Sequence, residues 1–368
     1  MRSVDVTIQD VAFGGKGVAR HDGKAVFIPL TIEGERVRAR IVREKKSFVE
    51  AELAELIEAS PDRVEAECPY FGRCGGCSYQ HMRYEHQLQL KARQVEQTLQ
   101  RIGRLADIPM RPIVPSPQSY HYRNRITVHC EDGVIGFYRR DEHRLIDVEQ
   151  CPISMPKVNN QLEKLRARRP HAGHYTLRAH SKWRIFSQTN DAVASQLLEQ
   201  VAALVPERGQ LLVDAYCGAG FFAKRLLDQF ERVIGIDWDV HAIAAANKNA
   251  GPKEIYIAGD VEVELPQVGA VHRTALGRLG SIASTFENNP SRTVVIVDPP
   301  AAGLSANVRR ALLDFPVTTL IYVSCNPPTL ARDLADLCAQ FTIESVTPLD
   351  MFPQTAEIEV LVSLRPVA

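Results

Sequence analysis

From residue 191 onward the chain alternates two hydrophobic periods, and no other feature constrains its fold as tightly. Residues 191–204 repeat their apolar positions at helical spacing. Leu211-Leu212-Val213-Asp214 is the kind of unbroken apolar run that is buried on both faces of a parallel sheet. It runs into Ala215-Tyr216-Cys217-Gly218-Ala219-Gly220-Phe221 and then into a helical stretch. Residues 233–237 give the next strand, and 293–298, 320–324 and 360–365 give others. Strands alternating with helices predict a doubly wound α/β domain. Such domains bind ligands at the carboxyl edge of the sheet. The mixed polar composition of residues 262–290 predicts a lengthened connection, and no internal repeat is present.

The N-terminal region is different. Val4-Asp5-Val6-Thr7-Ile8 alternates, Gly14-Gly15-Lys16-Gly17 is a turn, and His21-Asp22-Gly23-Lys24 is a hairpin signal. Short strands at this spacing over residues 4–57 predict a small β-barrel, commonly a nucleic-acid-binding appendage. Residues 61–79 form a Pro-, Gly- and Cys-rich knot. A helix follows over 83–104, with Leu88, Leu90, Val95, Leu99 and Ile102 as its apolar face. Residues 112–185 are mixed, with strands expected at 125–130, 134–139 and 182–187. No apolar run approaches the roughly 20 residues of a membrane helix, so a cytoplasmic location is expected.

The net charge of zero conceals a dipole. Residues 1–60 balance 10 basic against 10 acidic side chains, residues 61–190 carry 21 against 13, and residues 191–368 carry 13 against 21. A +8 centre and a −8 remainder say more about partners than the total does. Lys164, Arg166, Arg168, Arg169, Arg178, Lys182 and Arg184 fall in one basic stretch. It reads either as a solvated face or as a footprint for a phosphate backbone.

Several motifs carry chemistry. Gly218 and Gly220 let the backbone approach a ligand, and Asp237 ends the next strand where an acid binds ribose hydroxyls. This loop alone does not separate a nicotinamide cofactor from S-adenosylmethionine. Asp298-Pro299-Pro300 stops a strand abruptly at the same edge, and the prolines make a rigid loop. Cys325 in Ser324-Cys325-Asn326-Pro327 follows another buried strand. A thiol of pKa about 8.5 is a nucleophile there only if locally activated, and otherwise a small buried apolar residue. Glu359 begins a further apolar strand, as a base near a pocket or as a solvated strand end. Cys68, Cys74 and Cys77 are closely spaced among glycines, and Cys151 supplies a fourth thiolate. Four cysteines suit a [4Fe–4S] cluster or tetrahedral zinc, and the lack of a second Cys-x2-Cys pair favours iron–sulfur.

Together these residues resemble the RNA uracil-C5 methyltransferase family, which makes 5-methyluridine in tRNA and rRNA. The resemblance runs over nearly the whole chain. The N-terminal barrel resembles a TRAM domain, and Cys68-Pro-Tyr-Phe-Gly-Arg-Cys-Gly-Gly-Cys77 with Gln80-His81 resembles the family's iron–sulfur segment. Tyr122-Arg123-Asn124-Arg125, Phe186-Ser187-Gln188-Thr189-Asn190 and Asp350-Met-Phe-Pro-Gln-Thr355 resemble further signatures. The resemblance implies a C-terminal Rossmann-like class I methyltransferase domain (81–111 and 186–368). It also implies a TRAM/OB-like barrel (1–60) and a central α+β iron–sulfur domain (61–80 and 112–185). It places Cys325 as nucleophile and Glu359 as the base that removes the C5 proton. Gln188, Tyr216, Gly218, Gly220, Phe221, Asp237, Asp260 and Asp298 fall in the S-adenosylmethionine site, and Cys68, Cys74, Cys77 and Cys151 on the [4Fe–4S] ligands. The implied partner is RNA, with rRNA favoured over tRNA, and the implied state is a monomer.

The chain departs from the family pattern at four positions. Ala301 replaces an Arg after Asp-Pro-Pro, and Glu357 replaces a His two residues before the base. Asp237 stands for a Glu, and Phe221 for a polar residue. The first two bear on substrate choice and rate more than on reaction type. Competing readings are a methyltransferase acting on cytosine C5 or an exocyclic amine, a non-catalytic RNA-binding protein, and a nicotinamide-dependent iron–sulfur oxidoreductase. Cytosine-C5 enzymes usually carry a cysteine beside the proline motif, where this chain has Ala301.

Overall fold

The structure is a computed structural model that describes residues 2–140, 142–180, 188–274 and 292–367. Its first strands are β1 (Ser3–Thr7), β2 (Asp10–Ala12), β3 (Lys16–His21), β4 (Lys24–Pro29), β5 (Arg36–Glu44) and β6 (Phe48–Glu58). They form one sheet in the order β1-β5-β6-β4-β3-β2. Only Ile8 and Gln9 join β1 to β2, so the two ends of that order are drawn together and the sheet curls on itself. The alternating residues of these strands, among them Val6, Ile28, Val37 and Val49, fill its interior. The β3–β4 hairpin turns on Asp22 and Gly23, both at positive φ (48° and 76°), as its two-residue loop requires. Outside, Arg38 pairs with Asp5 and Glu55, and Lys24 with Glu44.

Helix α1 (Tyr84–Gly103) follows the cysteine-rich segment. Its Val95 and Leu99 join the core of the C-terminal domain. The apolar face read from the sequence is only partly the buried one. Leu88 is half-buried and Ile102 is exposed, whereas Gln87, Lys91 and Gln94 are buried. Polar partners from other segments meet that side of the helix, which an apolar count does not register.

The central sheet has strands β7 (Arg125–Glu131), β8 (Val134–Tyr138), β9 (Leu145–Asp147) and β10 (Gly173–Arg178), in the order β10-β7-β8-β9. Helix α2 (Pro156–Ala167) covers its inner face, with Val158 and Leu162 against Ile126, Val128 and Leu177. The sequence pattern did not indicate β10, because Leu177 is its one fully buried residue. The strand expected at 182–187 lies outside the described residues, as do Lys182, Arg184, Phe186 and Ser187.

The C-terminal domain contains α3 (Asp191–Leu204), β11 (Gly209–Ala215), α4 (Phe221–Leu226), β12 (Phe230–Asp237), α5 (Val240–Lys248), β13 (Glu254–Ala258) and α6 (Val261–Thr274). It continues through β14 (Thr293–Val297), α7 (Ala306–Asp314), β15 (Thr319–Ser324), α8 (Pro327–Leu337), β16 (Phe341–Leu349) and β17 (Glu359–Pro366). Its sheet has the order β13-β12-β11-β14-β15-β17-β16, parallel as far as β15, with β17 antiparallel to both neighbours. Helices cover both faces, α1, α6, α7 and α8 on one and α3, α4 and α5 on the other. The connection expected from residue 262 onward is in its first part the helix α6, where Leu265 and Val268 are buried. Pro266 breaks the helical signal there. Residues 275–290 lie outside the described residues.

Candidate active site

Sheet register brings the chemistry-bearing residues to one edge. Ala215 pairs with both Ile236 and Val297, and Val297 pairs with Tyr322. Tyr216, Asp237, Asp298 and the end of β15 therefore share the carboxyl edge of the parallel strands. Ser324 pairs antiparallel with Val360. Cys325 follows Ser324 and Glu359 precedes Val360, so the thiol and the carboxyl emerge side by side from opposite strand directions. The loops are tied together as well. Asn326 Nδ2 donates to the Ala301 carbonyl at 2.8 Å, Thr329 Oγ1 donates to the same oxygen at 3.0 Å, and the Asp298 amide donates to Ala215 at 3.3 Å.

The electrostatics around Cys325 are dominated by burial and acid. The half-buried thiol is pushed up to about 12 by burial first, then by Glu359, Asp298 and Glu357. Glu359 is 3% exposed, and its carboxyl is held well above the ordinary range by burial, then by Asp298 and Glu357. Burial also raises Asp298. In the free protein the thiol is therefore almost wholly protonated at neutral pH. Replacing Glu357 with Gln removes a negative neighbour, lowers the thiol pKa and enlarges the thiolate fraction. Iodoacetamide labelling of Cys325, followed by peptide mapping at pH 8, is expected to run about threefold faster in this variant. An unchanged or slower rate would contradict this electrostatic picture.

The glycine loop forms the other half of the edge. Tyr216, Gly218 and Gly220 all have positive φ, 66°, 55° and 88°. A Cβ on Gly218 would meet nothing within 4 Å, so open space lies above this residue. Both oxygens of Asp237 are held by backbone, from Gly218 N and Asp239 N, each at 2.8 Å. Asp214 is fully buried beneath the loop. Its Oδ2 accepts from Ala223 N at 2.9 Å, while Oδ1 has no partner among the described residues. Its carboxyl is pushed up to about 8, by burial and then by Asp298 and Asp237. The sequence reading did not select Asp214, although its place at the start of the Asp-Ala-Tyr-Cys-Gly-Ala-Gly run was the available signal. At neutral pH Asp214 is therefore a largely protonated acid buried beneath the open glycine loop.

The remaining expected residues are distributed around this loop. Phe221 opens α4 with its ring 4.8 Å from that of Phe222. Asp260 is exposed and accepts from Glu262 N at the start of α6, close enough to Tyr216 to raise its hydroxyl pKa. Gln188 is buried, and its backbone carbonyl accepts from Asn124 Nδ2 at 2.8 Å.

Cys68, Cys74, Cys77 and Cys151 line one cavity of about 500 Å³, shared with Arg123, Arg125, Arg178 and Glu357. Burial raises the thiols of Cys68, Cys74 and Cys77, and the neighbouring thiols raise them further. Among the described residues, no three His, Cys, Asp or Glu side chains gather as ligands of a single metal ion. Zinc needs four sulfurs at about 2.3 Å from one centre. In a [4Fe–4S] cube each thiolate bonds a different iron, and four thiols lining one cavity are a donor set of that kind.

The sequence matches the family described as tRNA (uracil-5-)-methyltransferase over residues 171–366, and the TRAM domain over residues 2–54. An uncharacterized RNA methyltransferase of Halalkalibacterium halodurans is 29% identical, covering 97% of this chain and 95% of its own. Another, from Bdellovibrio bacteriovorus, is 29% identical over 98% of this chain and 95% of its own. Among solved structures, the tRNA (uracil-54, C5)-methyltransferase of Pyrococcus abyssi, in complex with S-adenosyl-L-homocysteine, superimposes with a TM-score of 0.71. It is 22% identical and covers 98% of this chain and 100% of its own, a likeness of fold.

Proposed function

The chain belongs to the tRNA (uracil-5-)-methyltransferase family of S-adenosylmethionine-dependent enzymes, and from that premise we propose that it methylates C5 of a uridine in rRNA through a covalent adduct on Cys325. The observation that carries this reading is the meeting of Cys325 and Glu359 at one sheet edge beside Asp298. Uracil C5 is too weak a nucleophile to take a methyl group from a sulfonium directly. The Cys325 thiol loses its proton to solvent, and the thiolate adds to C6, breaking the C5–C6 double bond and forming an enolate. C5 then bonds the methyl group, and S-adenosylhomocysteine departs. Glu359 takes the C5 proton, the double bond re-forms, and the C6–sulfur bond breaks. A carboxyl whose pKa is raised toward the working pH is a stronger base once ionised. Reaching Cys325 requires the target base to leave its stack.

The methyl donor is proposed to lie on the glycine loop beside Asp237 and Asp298, which stand at the ends of the strands on either side of β11. Gln188, Tyr216, Gly218, Gly220, Phe221 and Asp260 complete its proposed site. The RNA backbone follows the basic centre of the chain, where Arg123, Arg125 and Arg178 line the cavity that reaches Glu357. The division into a barrel (1–60), a central domain (61–80 and 112–185) and a catalytic domain (81–111 and 186–368) assigns phosphate binding to the middle and chemistry to the end. The TRAM domain and the cysteine cluster lean toward rRNA as the substrate, but tRNA enzymes share this layout, so the choice rests on the transcript experiment below.

Cys68, Cys74, Cys77 and Cys151 would hold a [4Fe–4S] cluster. Bound there, it supplies a cross-link between distant segments, since no step needs an electron. Cys74→Ser in anaerobically purified protein is expected to lose most of its iron and its broad visible absorption. It should also lose about 2–4 kcal/mol of stability, the range of a covalent cross-link. Iron content and melting temperature equal to the wild type would refute that assignment. The substrate is tested by incubating the protein with unmodified rRNA and tRNA transcripts and S-adenosylmethionine, then digesting the RNA for mass spectrometry. The expected result is 5-methyluridine in rRNA. Product in tRNA alone would correct the substrate, and none in either would overturn the reading.

A further inference from the structure

The buried polar stripe of α1 has a directional use. Gln87, Lys91 and Gln94 are 0%, 1% and 4% exposed, and their spacing puts them on one side of the helix. Gln94 donates to the Val11 carbonyl of the barrel at 2.7 Å. The other two grip residues 350–354, the irregular segment between β16 and β17. Lys91 Nζ donates to Asp350 Oδ1 at 2.6 Å and to the Phe352 carbonyl at 3.0 Å. Gln87 Nε2 donates to Gln354 Oε1 at 2.9 Å and to the Tyr79 and Met82 carbonyls, and the Gln354 backbone N–H donates back to Gln87 Oε1 at 3.1 Å.

The same segment is held from its other side. The amides of Ser78 and Tyr79, immediately after Cys77, both donate to the Gln354 carbonyl at 3.0 Å. Tyr122 Oη donates to the Pro353 carbonyl at 2.9 Å. The chain then passes through Glu357 into Glu359. The Lys91 and Asp350 side chains are both 0% exposed. Burying two charges is costly, and an apolar pair of similar volume often stabilises a fold as well or better. What an ion pair and a reciprocal amide pair add is fixed direction at a particular backbone position.

We propose that Lys91 and Gln87 are positioning residues for proton abstraction, holding segment 350–354 so that Glu359 is aimed at C5 of the target base. The inference rests on the reading of Glu359 as the base. It singles out one step. Attack by Cys325 and methyl transfer precede the need for Glu359, whereas release of the product requires it. A displaced base therefore leaves the methylated nucleotide bonded to sulfur. A purely structural lesion would slow attack and release together.

The test uses the full chain, RNA that the wild type methylates, and S-adenosylmethionine labelled in its methyl group. Gln87→Leu removes both hydrogen bonds with Gln354, together with those that Gln87 donates to the Tyr79 and Met82 carbonyls. The double variant Lys91→Met/Asp350→Asn removes both buried charges, leaving neither unpaired. Two quantities are read, the labelled protein–RNA complex that survives denaturation and the 5-methyluridine released. We expect release to slow by about 10- to 100-fold, the cost of a small misplacement of a reacting group. The labelled complex should accumulate while its rate of formation stays within about threefold of wild type. Complex and product falling in parallel in Gln87→Leu, or both staying at wild-type levels in the two variants, would overturn the proposal. If the double variant does not fold, Gln87→Leu decides alone. Absence of both complex and product in the wild type would instead bring down the underlying reading of Cys325 and Glu359.

Discussion

Replacing Cys325 with alanine is expected to reduce 5-methyluridine formation by about 10⁴-fold or more, the scale on which removal of a nucleophile is felt. The reason lies in the substrate. Without a thiolate at C6, uracil offers no carbanion-like carbon to the sulfonium, and proximity alone does not create one. The acidic surroundings of Cys325 sharpen the expectation. Burial and then Glu359, Asp298 and Glu357 push its thiol to about 12, so in the wild type the thiolate is the scarce species. A raised thiol pKa means that the ionised form gains as pH rises. The wild-type rate at limiting RNA should therefore climb between pH 7 and 9, whereas the alanine variant, lacking the group, should show no such climb. Binding of RNA and of S-adenosylmethionine should persist in the variant, since the loops around it are tied by Asn326, Thr329 and Ala301 and not by the sulfur. Label transfer from S-adenosylmethionine to RNA, measured alongside both binding affinities, checks this. Methylation within tenfold of wild type would point to amine methylation, which uses no thiol.

Glu359→Gln is expected to slow product release by about 10²–10⁴-fold, the usual contribution of a general base. The substitution is close to isosteric with the protonated carboxylic acid. Glu359 is 3% exposed at the first position of β17, with its carboxyl held well above the ordinary range by burial and its acidic neighbours. The amide should therefore be accommodated without a stability loss that would mask the kinetics. Unlike Cys325→Ala, this variant still attacks C6 and still takes the methyl group. The expected signature is a protein–RNA complex, stable to denaturant and carrying the labelled methyl group, that forms at nearly the wild-type rate and does not turn over. Loss of the complex together with the product would move Glu359 from proton abstraction to an earlier step.

Much of the C-terminal fold was legible because its physics is local. Runs such as Leu211–Asp214 announce strands buried on both faces, and the glycines after them announce the loop where ligands bind. Asp22-Gly23 marked its hairpin for an equally local reason, the positive φ that both positions require. Strand β10 was not legible because Leu177 is its one buried residue, while Tyr175 on the same face is only partly covered and His174 and Thr176 are exposed. Helix α6 was obscured by Pro266. At the site, residue types named Cys325, Asp298 and Glu359, but their adjacency depends on the antiparallel insertion of β17 beside β15, which no local pattern encodes. Asp214 was passed over because its unpaired oxygen is visible only in three dimensions. The roles of Gln87 and Lys91 were hidden for the same reason, since their partners at 350–354 lie far along the chain.

The central claim is that Cys325 bonds C6 of the uracil during methyl transfer, and one measurement addresses it directly. The protein is incubated with S-adenosylmethionine and substrate RNA carrying 5-fluorouridine at the target position. Fluorine at C5 cannot be removed as a proton, so the final elimination is blocked and the adduct persists. Digestion to peptides and nucleotides, followed by mass spectrometry, locates the bond. The account predicts a single modified peptide, bearing a methylated fluorouridine nucleotide on Cys325. An adduct on another residue, or full methylation of normal RNA with no adduct on the fluorinated one, would contradict it.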